Sequence, residues 1–288
     1  MLRLAVATDA ETLERIREPL ADRGIEAAHL PTSRRAQPLD GAREPFDVGF
    51  VYPSRLMEGG VADAMLGVPW VNDREAVLRS RNKAETLSRL DRAGVPTPET
   101  VHVSNPADKA TLRAAFERFD PPVVVKPNSA TRGVGVAKVG DLDSFLGVCD
   151  YLALVHDYRA TEDRSFLVQE YLPGATDYRA MVADGDCVGC VERRLPADER
   201  AAGRWKHNVH RGAVAEGIDL PADRRRLAER AAAALDVPWL GVDLLVTDDR
   251  AVVNETNARP TVDEATKYDD GFYDRLAALV SETARRNR

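Results

Sequence analysis

The sequence predicts an α/β protein built from three parts. Its first 82 residues alternate short apolar runs with amphipathic stretches, which is the strand and helix alternation of a parallel sheet. From residue 101 onward, several strand patterns follow one another across short turns, which indicates α+β parts that contain hairpins. We therefore assign one part to residues 1–82, a second to residues 83–171 and a third to residues 172–288.

Turn residues and apolar runs mark the individual elements. The first helical pattern stops before Gly24, and another closes at Gly94, where two prolines stiffen the link to the next part. Asp184 and Gly185 predict a hairpin turn. Strands are predicted over residues 3–8, 46–53, 68–72, 122–126, 134–139, 166–170, 178–183, 186–193, 241–247 and 251–256, and helices over residues 10–23, 60–67, 81–94, 141–153, 221–235 and 272–285.

Composition narrows the class of protein. The 288 residues carry a net charge of -7, and the isoelectric point of about 5.4 disfavours binding to nucleic acid. The apolar stretch at the N-terminus is too short for a signal peptide, and no run approaches the ~18 apolar residues of a spanning helix. The three cysteines are too few for a disulfide framework, so a cytoplasmic protein without membrane partners is expected.

A glycine-spaced loop follows a lysine in the stretch VVVKPNSATRGVGV. Lys126 ends an apolar run, and Gly133 and Gly135 follow it. The chain has no GxxxxGK[ST] pattern, and this stretch contains only the first two glycines of GxGxxG. Since the residues after it resemble a strand, the loop joins strand to strand, and its backbone amides could cover a phosphate chain that Lys126 reaches from the sheet. A plain hairpin is the alternative.

A second group of polar residues lies in GVDLLVTDDRAVVNETNARP. Asp243 is on one predicted strand, and Glu255 and Asn257 are two residues apart on the next, so they share a face. A three-residue loop would place Asp243 opposite Glu255, whereas a two-residue loop would pair it with Asn254 and separate the group. Two carboxylates and an amide suit a hard divalent cation, Mg²⁺ or Mn²⁺. A solvated strand face is the alternative.

Together these two features resemble the ATP-grasp superfamily, and more narrowly its RimK and LysX branch of carboxylate-amine ligases. Members of that branch add amino acids such as glutamate to acceptor carboxylates. The resemblance extends from about residue 72 to 265 and is weaker in the first 70. It implies an ATP-grasp fold, with a Rossmann-like pre-ATP-grasp domain at the N-terminus, a small central lid domain and a C-terminal domain that carries the metal hairpin.

Two patterns of the branch precede and form the lid. Asn82 and Lys83, followed by a helix and GVPTPET, match the pattern before the central domain. The lid pattern KPxxGSxGxGV matches Lys126 to Val136, except that Ala130 replaces a glycine and Thr131 a serine. Loss of that glycine makes the loop stiffer.

Three further patterns of the branch follow in order. The hinge pattern QE[FY] would bind adenine and ribose, and the chain is about two residues shorter than the pattern between this hinge and the next motif. The matching residues are Gln169, Glu170 and Tyr171 for the hinge, Asp177 and Arg179 for DxR, and Glu192, Arg193 and Arg194 for ERR.

The family's RSNLHRGG corresponds to KHNVHRGA over residues 206–213, with Lys206 in place of an arginine and His207 in place of a serine. The stretch LPADERAAG before it is longer than usual, so an altered substrate loop is expected.

The resemblance implies an activity and assigns residues to it. ATP would phosphorylate a carboxylate to an acylphosphate, and an amine would then displace phosphate. The resemblance assigns ATP binding to Lys83, Lys126, Thr131, Gly133, Gly135, Gln169, Glu170, Tyr171, Asp177, Lys206 and Asn208, magnesium to Asp243, Glu255 and Asn257, and the substrate carboxylates to Arg179, Arg194 and Arg211.

The substrates are open at this stage. Glutamate is the favoured amine, the acceptor would be a protein tail, a carrier protein or a cofactor, and a homodimer or homotetramer is expected, all by resemblance. Alternatives are a dipeptide or glutathione-type synthetase, a kinase-like phosphotransferase, and an ATP-binding regulator without catalysis. The complete metal set argues against the regulator.

One further pattern resembles a zinc site. Cys187 and Cys190 form a CxxC, and His207 and His210 form an HxxH. The histidine spacing is too short for the usual pattern, and residues i and i+3 on a strand point to opposite faces. Packing is therefore expected for the cysteines, rather than zinc or redox chemistry.

Overall fold

The computed structural model describes residues 1–8, 11–33, 36–40, 45–131, 133–155, 163–207 and 212–286. The first part contains a parallel three-stranded sheet in the order β2-β1-β3, which confirms the parallel sheet expected at the N-terminus. Its elements are β1 (Leu2–Val6), β2 (Ile25–His29), β3 (Val48–Phe50), α1 (Glu11–Ala21) and α2 (Leu56–Leu66). The strand predicted over residues 68–72 is reduced to a single parallel bridge between Trp70 and Gly49.

The middle sheet is antiparallel and has the order β4-β7-β5-β6. Two helices cover one face, and Phe116, Phe145 and Phe166 form the centre of their shared core. The elements are β4 (Thr100–Ser104), α5 (Lys109–Glu117), β5 (Val123–Pro127), β6 (Ala137–Val139), α6 (Leu142–Val155) and β7 (Ser165–Glu170). β5 and β7 lie side by side, so Lys126 on β5 pairs with Leu167 on β7.

The third sheet is antiparallel, with the order β10-β9-β8-β11-β12. Its strands are β8 (Thr176–Ala183), β9 (Asp186–Arg194), β10 (Val214–Gly217), β11 (Trp239–Val246) and β12 (Ala251–Asn257). The remaining α-helices of the described residues are α3 (Arg74–Arg81), α4 (Lys83–Arg92), α7 (Ala197–Ala201), α8 (Ala222–Leu235) and α9 (Phe272–Arg285). None of the helices in the described part of the chain has the length and apolar character needed to cross a bilayer.

Helix α4 packs on the third sheet, although it begins the segment assigned to the middle part. It contacts α8 and β12, and its Leu90 is buried in the same core as Leu227 of α8. This packing favours a middle part that begins near Thr100. The boundaries of the three parts remain a proposal.

The hairpin between β11 and β12 places Asp243 opposite Glu255 by a route that differs from the expected one. Thr247 and Arg250 pair through a hydrogen bond of 2.9 Å from the Thr247 amide, so only two residues form the turn. A β-bulge between Asp243 and Leu244 then shifts the register by one residue and leaves Asn254 as the extra residue. The bulge therefore restores the pairing that a two-residue turn alone would have broken.

A second bulge corrects the expectation for the two cysteines. β9 carries an extra residue between Gly189 and Cys187, because Gly189 pairs with Met181 while Cys187 pairs with Val182. This extra residue brings Cys187 and Cys190 into the same apolar core, so they do not point to opposite faces. Burial raises the pKa of both thiols. The expected packing role agrees with this burial, and His210 lies outside the described residues.

Asn72 joins the first part to the third sheet. Its side-chain amide donates to the carbonyl oxygens of Trp239 (2.5 Å) and Ala258 (2.7 Å) and accepts from the Trp239 amide at 3.2 Å. It is 2% exposed, so water cannot replace these bonds. Asn72→Ala is expected to lower the free energy of unfolding by about 3 kcal/mol, because it leaves buried backbone groups unpaired.

Urea unfolding of the variant measures this loss. Arg74→Ala is the control, since Arg74 is exposed at the start of the neighbouring helix and its change should stay within about 0.5 kcal/mol. Equal stabilities for the two variants would show that Asn72 does not hold the parts together.

Candidate active site

A cleft of about 510 Å³ opens between the middle and third sheets. Its walls come from β5 and β7 on one side, from β8, β9, β11 and β12 on the other, and from the segment that links β7 to β8. Among the residues assigned from the sequence, the lining contains Lys126, Gly133, Gln169, Glu170, Tyr171, Asp177, Arg194, Lys206, Asp243 and Glu255. The sheets thus bring together residues that lie more than a hundred positions apart.

Of the other assigned residues, those that the structure describes lie behind or beside this lining. Lys83 and Arg179 contact residues of the lining directly. Gly135 lies in the lid turn, Thr131 is exposed at the start of that turn, and Asn257 ends β12. Asn208 and Arg211 lie outside the described residues.

Lys83 links the lid to the metal hairpin. The side chain of Asn82 caps α4 by accepting from the Glu85 amide, which sets Lys83 as the first helical residue. Lys83 is buried, and its Nζ donates to the carbonyl oxygens of Asn128, at 3.3 Å, and Ala130. The same Nζ is 3.4 Å from Glu255 Oε1. One ammonium group therefore contacts both predicted constellations.

Lys126 is a second buried ammonium in this wall. Its Nζ lies 3.3 Å from Asn254 Oδ1 and 3.4 Å from the Asn254 carbonyl oxygen. Asn254 is the residue left over by the bulge in β12, so the bulge directs its polar atoms to the lysine. Burial lowers the pKa of Lys126 to about 8, and nearby Glu255 opposes this effect without cancelling it.

The lid turn requires glycine at position 135. Gly135 has φ of 73°, and a Cβ there would lie 2.7 Å from Pro127 Cγ. Gly135→Ala is therefore expected to disfavour the observed turn by about 1 to 2 kcal/mol and to weaken ATP binding about tenfold.

Gly140→Ala is the matched control. Gly140 follows β6 and has no left-handed φ, and a Cβ added there would meet no heavy atom within 4 Å. Calorimetry of ATP binding should separate the two variants. Equal affinities would mean that the turn geometry does not matter for the nucleotide.

The floor of the cleft is a chain of alternating charges on one face of the third sheet. Arg179 Nε and Nη2 donate to the two oxygens of Asp243 at 2.7 and 2.9 Å. Arg193 Nη2 is 3.1 Å from Asp243 Oδ2, and Arg193 Nε donates to Asp177 Oδ1 at 2.8 Å. Burial alone would raise the pKa of Asp243, but the two arginines outweigh it and lower the pKa to about 2. Asp243 is therefore a carboxylate at neutral pH.

Arg194 lines the cleft from the end of β9, but its side chain lies on the opposite face of the strand from that of Arg193. Its guanidinium donates to both carboxylate oxygens of Glu192 and lies 3.8 Å from Glu216 of β10. Its side chain is 61% exposed. Of the two arginines in the ERR pattern, Arg193, which was not assigned a role, is the one that contacts Asp243.

The hinge side chains bond to neighbouring protein groups. Gln169 Nε2 donates to Thr100 Oγ1 at 2.8 Å, and Glu170 Oε1 accepts from the Glu99 amide at 2.8 Å. Tyr171 meets Trp205 edge to face, with ring centroids 6.0 Å apart. These contacts fix the end of β7 and leave an aromatic wall at the mouth of the cleft.

Comparison with known proteins agrees with this architecture. A family model described as the RimK-like ATP-grasp domain matches residues 80–271. The chain belongs to this family. A probable alpha-L-glutamate ligase from Thioalkalivibrio sulfidiphilus is 32% identical over 236 residues, which span 78% of this chain and 71% of that protein. The tetrahydromethanopterin:alpha-L-glutamate ligase of Methanosarcina acetivorans is 32% identical over 208 residues, spanning 69% of this chain and 60% of that protein.

Solved structures extend the similarity to the whole fold. A RimK domain ATP-grasp protein from Sphaerobacter thermophilus superimposes with a TM-score of 0.71 at 22% identity, covering 98% of each chain. The predicted ATP-grasp fold is confirmed. The RimK-like chain is an ATP-dependent carboxylate-amine ligase, and proteins of its superfamily use ATP and Mg²⁺.

The residues of this RimK-like ligase fit a hard divalent cation by their chemistry. Asp243 and Glu255 are directly paired across β11 and β12, and Asn257 is on the same face. In the described part of the chain, no three His, Cys, Asp or Glu side chains form a group that could hold a metal. A cation here would therefore take two carboxylates and the Asn257 amide from the protein, and phosphate oxygens would complete its ligands.

Trp205 and Lys138 are further residues of the RimK-like site that were not assigned from the sequence, besides Arg193 and Asn254. Trp205 lies two residues after the stretch LPADERAAG, and Lys138 Nζ is 4.7 Å from the ring centroid of Tyr171, which contacts Trp205. Lys206 donates to the carbonyl oxygen of Val136 in the lid. An aromatic residue next to a motif lysine was the available signal for this contact between loop and lid.

Proposed function

We propose that this RimK-like ligase joins the amino group of L-glutamate, or of another amino acid, to a carboxylate acceptor. The observation that carries the proposal is the contact between the two constellations. Lys83 and Lys126 of the lid wall meet Glu255 and Asn254 of the hairpin. Cations that bind phosphate thus lie beside oxygens that suit a metal, which is the arrangement that phosphoryl transfer from ATP needs.

The reaction has two steps. A carboxylate oxygen of the acceptor attacks the γ-phosphorus of ATP, the bond from that phosphorus to the β–γ bridging oxygen breaks, and ADP leaves. The uncharged amine nitrogen then attacks the acyl carbon of the acylphosphate. The bond from that carbon to the phosphate oxygen breaks, the nitrogen loses a proton to solvent, and phosphate leaves as the amide forms. A magnesium ion held by Asp243, Glu255 and Asn257 would neutralise charge on the transferring phosphoryl group.

The residues of the cleft have distinct roles in these two reaction steps. Lys83 and Lys126 hold phosphate oxygens from the wall of the cleft. The lid turn around Gly133 and Gly135 covers the phosphates and keeps water from the acylphosphate. Gln169, Glu170 and Tyr171 form the nucleoside end, with Asp177, Thr131, Lys206 and Asn208 as further contacts to ATP.

The substrates are proposed from the names of the relatives and from the charge of the cleft. Two relatives are described as alpha-L-glutamate ligases, and one of these names tetrahydromethanopterin. Guanidinium groups bind carboxylates with two parallel hydrogen bonds, so Arg179, Arg194 and Arg211 are the candidates to hold substrate carboxylates. The acceptor is a protein tail, a carrier protein or a cofactor tail. A cytoplasmic dimer or tetramer stays a prediction.

The test combines product mass with chemical trapping. The protein is incubated with ATP, Mg²⁺, one amino acid and one carboxylate acceptor at a time, and ADP, phosphate and product mass are measured. We expect amino-acid-dependent release of phosphate and a product equal to acceptor plus amino acid less water. Hydroxylamine in place of the amino acid should trap the acylphosphate as a hydroxamate and identify the activated carboxylate.

Three other results would each count against the proposal. ADP formation with a stable phosphorylated product, unchanged by any amine, would indicate a kinase-like phosphotransferase. ATP binding without turnover for any acceptor in the panel would favour a regulator. A hydroxamate formed from a free amino acid would instead indicate a dipeptide-type synthetase.

A further inference from the structure

Arg179 and Asp243 form a bidentate ion pair that engages the atoms each would use to bind a ligand. They are direct neighbours across β8 and β11, and both oxygens of Asp243 accept from Arg179, at 2.7 and 2.9 Å. In the proposed reaction, Asp243 binds a metal and Arg179 binds a substrate carboxylate. Neither side chain can do so while the bidentate pair lasts, so the pair must separate during the cycle.

The carboxylate of Asp243 is close to saturated with donors. A carboxylate offers about four acceptor positions, and the two bonds from Arg179 are joined by the contact from Arg193 Nη2 at 3.1 Å. These three donors leave about one position, and a divalent cation that takes it would lie directly beside both guanidinium groups. It would also repel a guanidinium held within bonding distance of the same oxygens. One of the two arginines must therefore yield when a metal binds.

The two arginines differ in how firmly they are held. The Arg193 side chain is 9% exposed and also bonds to Asp177, whose carboxylate is 13% exposed. The Arg179 side chain is 30% exposed, and across the residues that the structure describes Asp243 is its one ion-pair partner. Moving Arg193 would leave a second carboxylate unpaired in a buried place, which is costly. Moving Arg179 exposes an already hydrated group, so Arg179 is the arginine that leaves.

We propose that Arg179 is an exchangeable partner of Asp243 that couples metal–nucleotide loading to binding of the acid substrate. When the metal and its nucleotide take Asp243, Arg179 is released, and its guanidinium becomes available to the carboxylate of the acceptor. The acid site is then complete only after the nucleotide has bound. This inference rests on the proposed ligase function and adds an order of binding to it.

The coupling has a thermodynamic signature at the metal. In the wild-type protein, part of the binding free energy of the metal is used to displace Arg179. A variant that lacks this guanidinium should bind the metal more tightly, because the competitor is gone. If Arg179 served only to orient Asp243, its loss would weaken metal binding. The two roles thus predict effects of opposite sign.

The experiment measures Mn²⁺ binding in the presence of adenylyl imidodiphosphate, an ATP analogue that is not hydrolysed at the β–γ position. Electron paramagnetic resonance counts free Mn²⁺ for the wild type, Arg179→Gln and Arg193→Gln. We expect Arg179→Gln to lower the Mn²⁺ dissociation constant about fivefold, and Arg193→Gln to raise it, since Asp177 and Asp243 lose their shared partner. If Arg193→Gln does not fold, Arg193→Lys serves as the control that retains the charge.

A second readout follows the substrate side. In the hydroxylamine assay, Arg179→Gln should raise the KM of the activated acid by about tenfold or more, because a bidentate contact is lost. Tighter Mn²⁺ binding with weaker acid binding is the combined signature of the exchange. Weaker or unchanged Mn²⁺ binding in Arg179→Gln would overturn it, as would an unchanged KM for the acid. Absence of Mn²⁺ and analogue binding in the wild type would instead remove the proposed function itself, and the inference with it.

Discussion

Replacing Glu255 with alanine is expected to lower kcat by about 10³-fold or more while the protein stays folded. Glu255 faces Asp243 across the hairpin and is the carboxylate nearest to Lys83, at 3.4 Å. In the proposed reaction, the metal would lose one of two anionic protein ligands without it, and the phosphoryl charge that develops in the transition state would be less well neutralised. Phosphate release in the presence of ATP, Mg²⁺ and both substrates measures the loss.

The stability of the Glu255 variant should change little. The Glu255 side chain is 36% exposed, so its ion pair is partly screened and worth about 1 kcal/mol or less. Lys83 keeps its two backbone carbonyl partners near the lid. Thermal unfolding should therefore stay close to that of the wild type.

Two companion variants make the Glu255 result specific. Glu255→Gln keeps the shape of the side chain and removes the charge, so it should be nearly as inactive as alanine. Glu58→Ala on α2 removes a glutamate of similar exposure, 45%, far from the cleft and should retain full activity. Full activity in Glu255→Ala would refute the metal assignment.

Much of the fold followed from local patterns. The hairpin of β8 and β9 was predicted from Asp184 and Gly185 between two apolar runs. These two residues form the turn, since β8 ends at Ala183 and β9 begins at Asp186. The long helices α6, α8 and α9 were predicted from their apolar periodicity. The bounds of α9 agree with the prediction, and the ends of α6 and α8 differ from it by at most two residues. These elements are long enough for the period of their apolar residues to be clear.

Short or exposed elements were not predicted, because their apolar periodicity is too brief or too weak to be clear. β2 has five residues and β10 has four. β10 is an edge strand without apolar alternation, so its strand conformation depends on pairing with β9. β4 follows two prolines, and α3 is a polar helix held by the cap at Asp73. The missing information in each case is tertiary contact, which local propensity does not contain.

Only part of the site was predicted, because some of its contacts also depend on tertiary structure. The pairing of Asp243 with Glu255 was expected only for a three-residue loop. The turn has two residues, and the bulge that restores the pairing was not predicted, because one extra residue in a strand leaves no distinct local pattern. The contact between Arg179 and Asp243 depends on β8 lying beside β11. That adjacency joins strands 64 positions apart, and neither sequence stretch reveals it alone.

Replacing Lys126 is expected to remove activity and to raise stability, whereas replacing Glu255 should leave stability nearly unchanged. Its side chain is 4% exposed, and its hydrogen bonds to Asn254 are long, at 3.3 and 3.4 Å. Its pKa falls from 10.5 to about 8, which means that the charged form is destabilised in the folded protein by about 3 kcal/mol. We therefore expect Lys126→Met to abolish ATP turnover and yet to raise the midpoint of thermal unfolding at pH 7.

The pH dependence gives this prediction a definite sign. Between pH 8 and pH 10.5, the lysine of the folded protein has lost its proton while that of the unfolded chain still carries it. Because the unfolded state binds more protons in this window, the stability of the wild type rises with pH, relative to a protein without this lysine. Below about pH 8 the lysine is charged in both states, and its full destabilising contribution is present.

The stability advantage of Lys126→Met over the wild type should therefore be largest below pH 8 and should shrink toward pH 10.5. Urea unfolding at several pH values measures the difference directly, since titrations shared by the two proteins cancel. Lys138→Met is the matched control, because Lys138 is exposed on β6 and should give no such trend. A Lys126→Met protein that is less stable than the wild type at pH 7 would show that the ammonium is well compensated by Asn254 and Glu255. If Lys126→Met loses turnover but is not more stable than the wild type, Lys126 is needed for activity and its burial does not destabilise the fold.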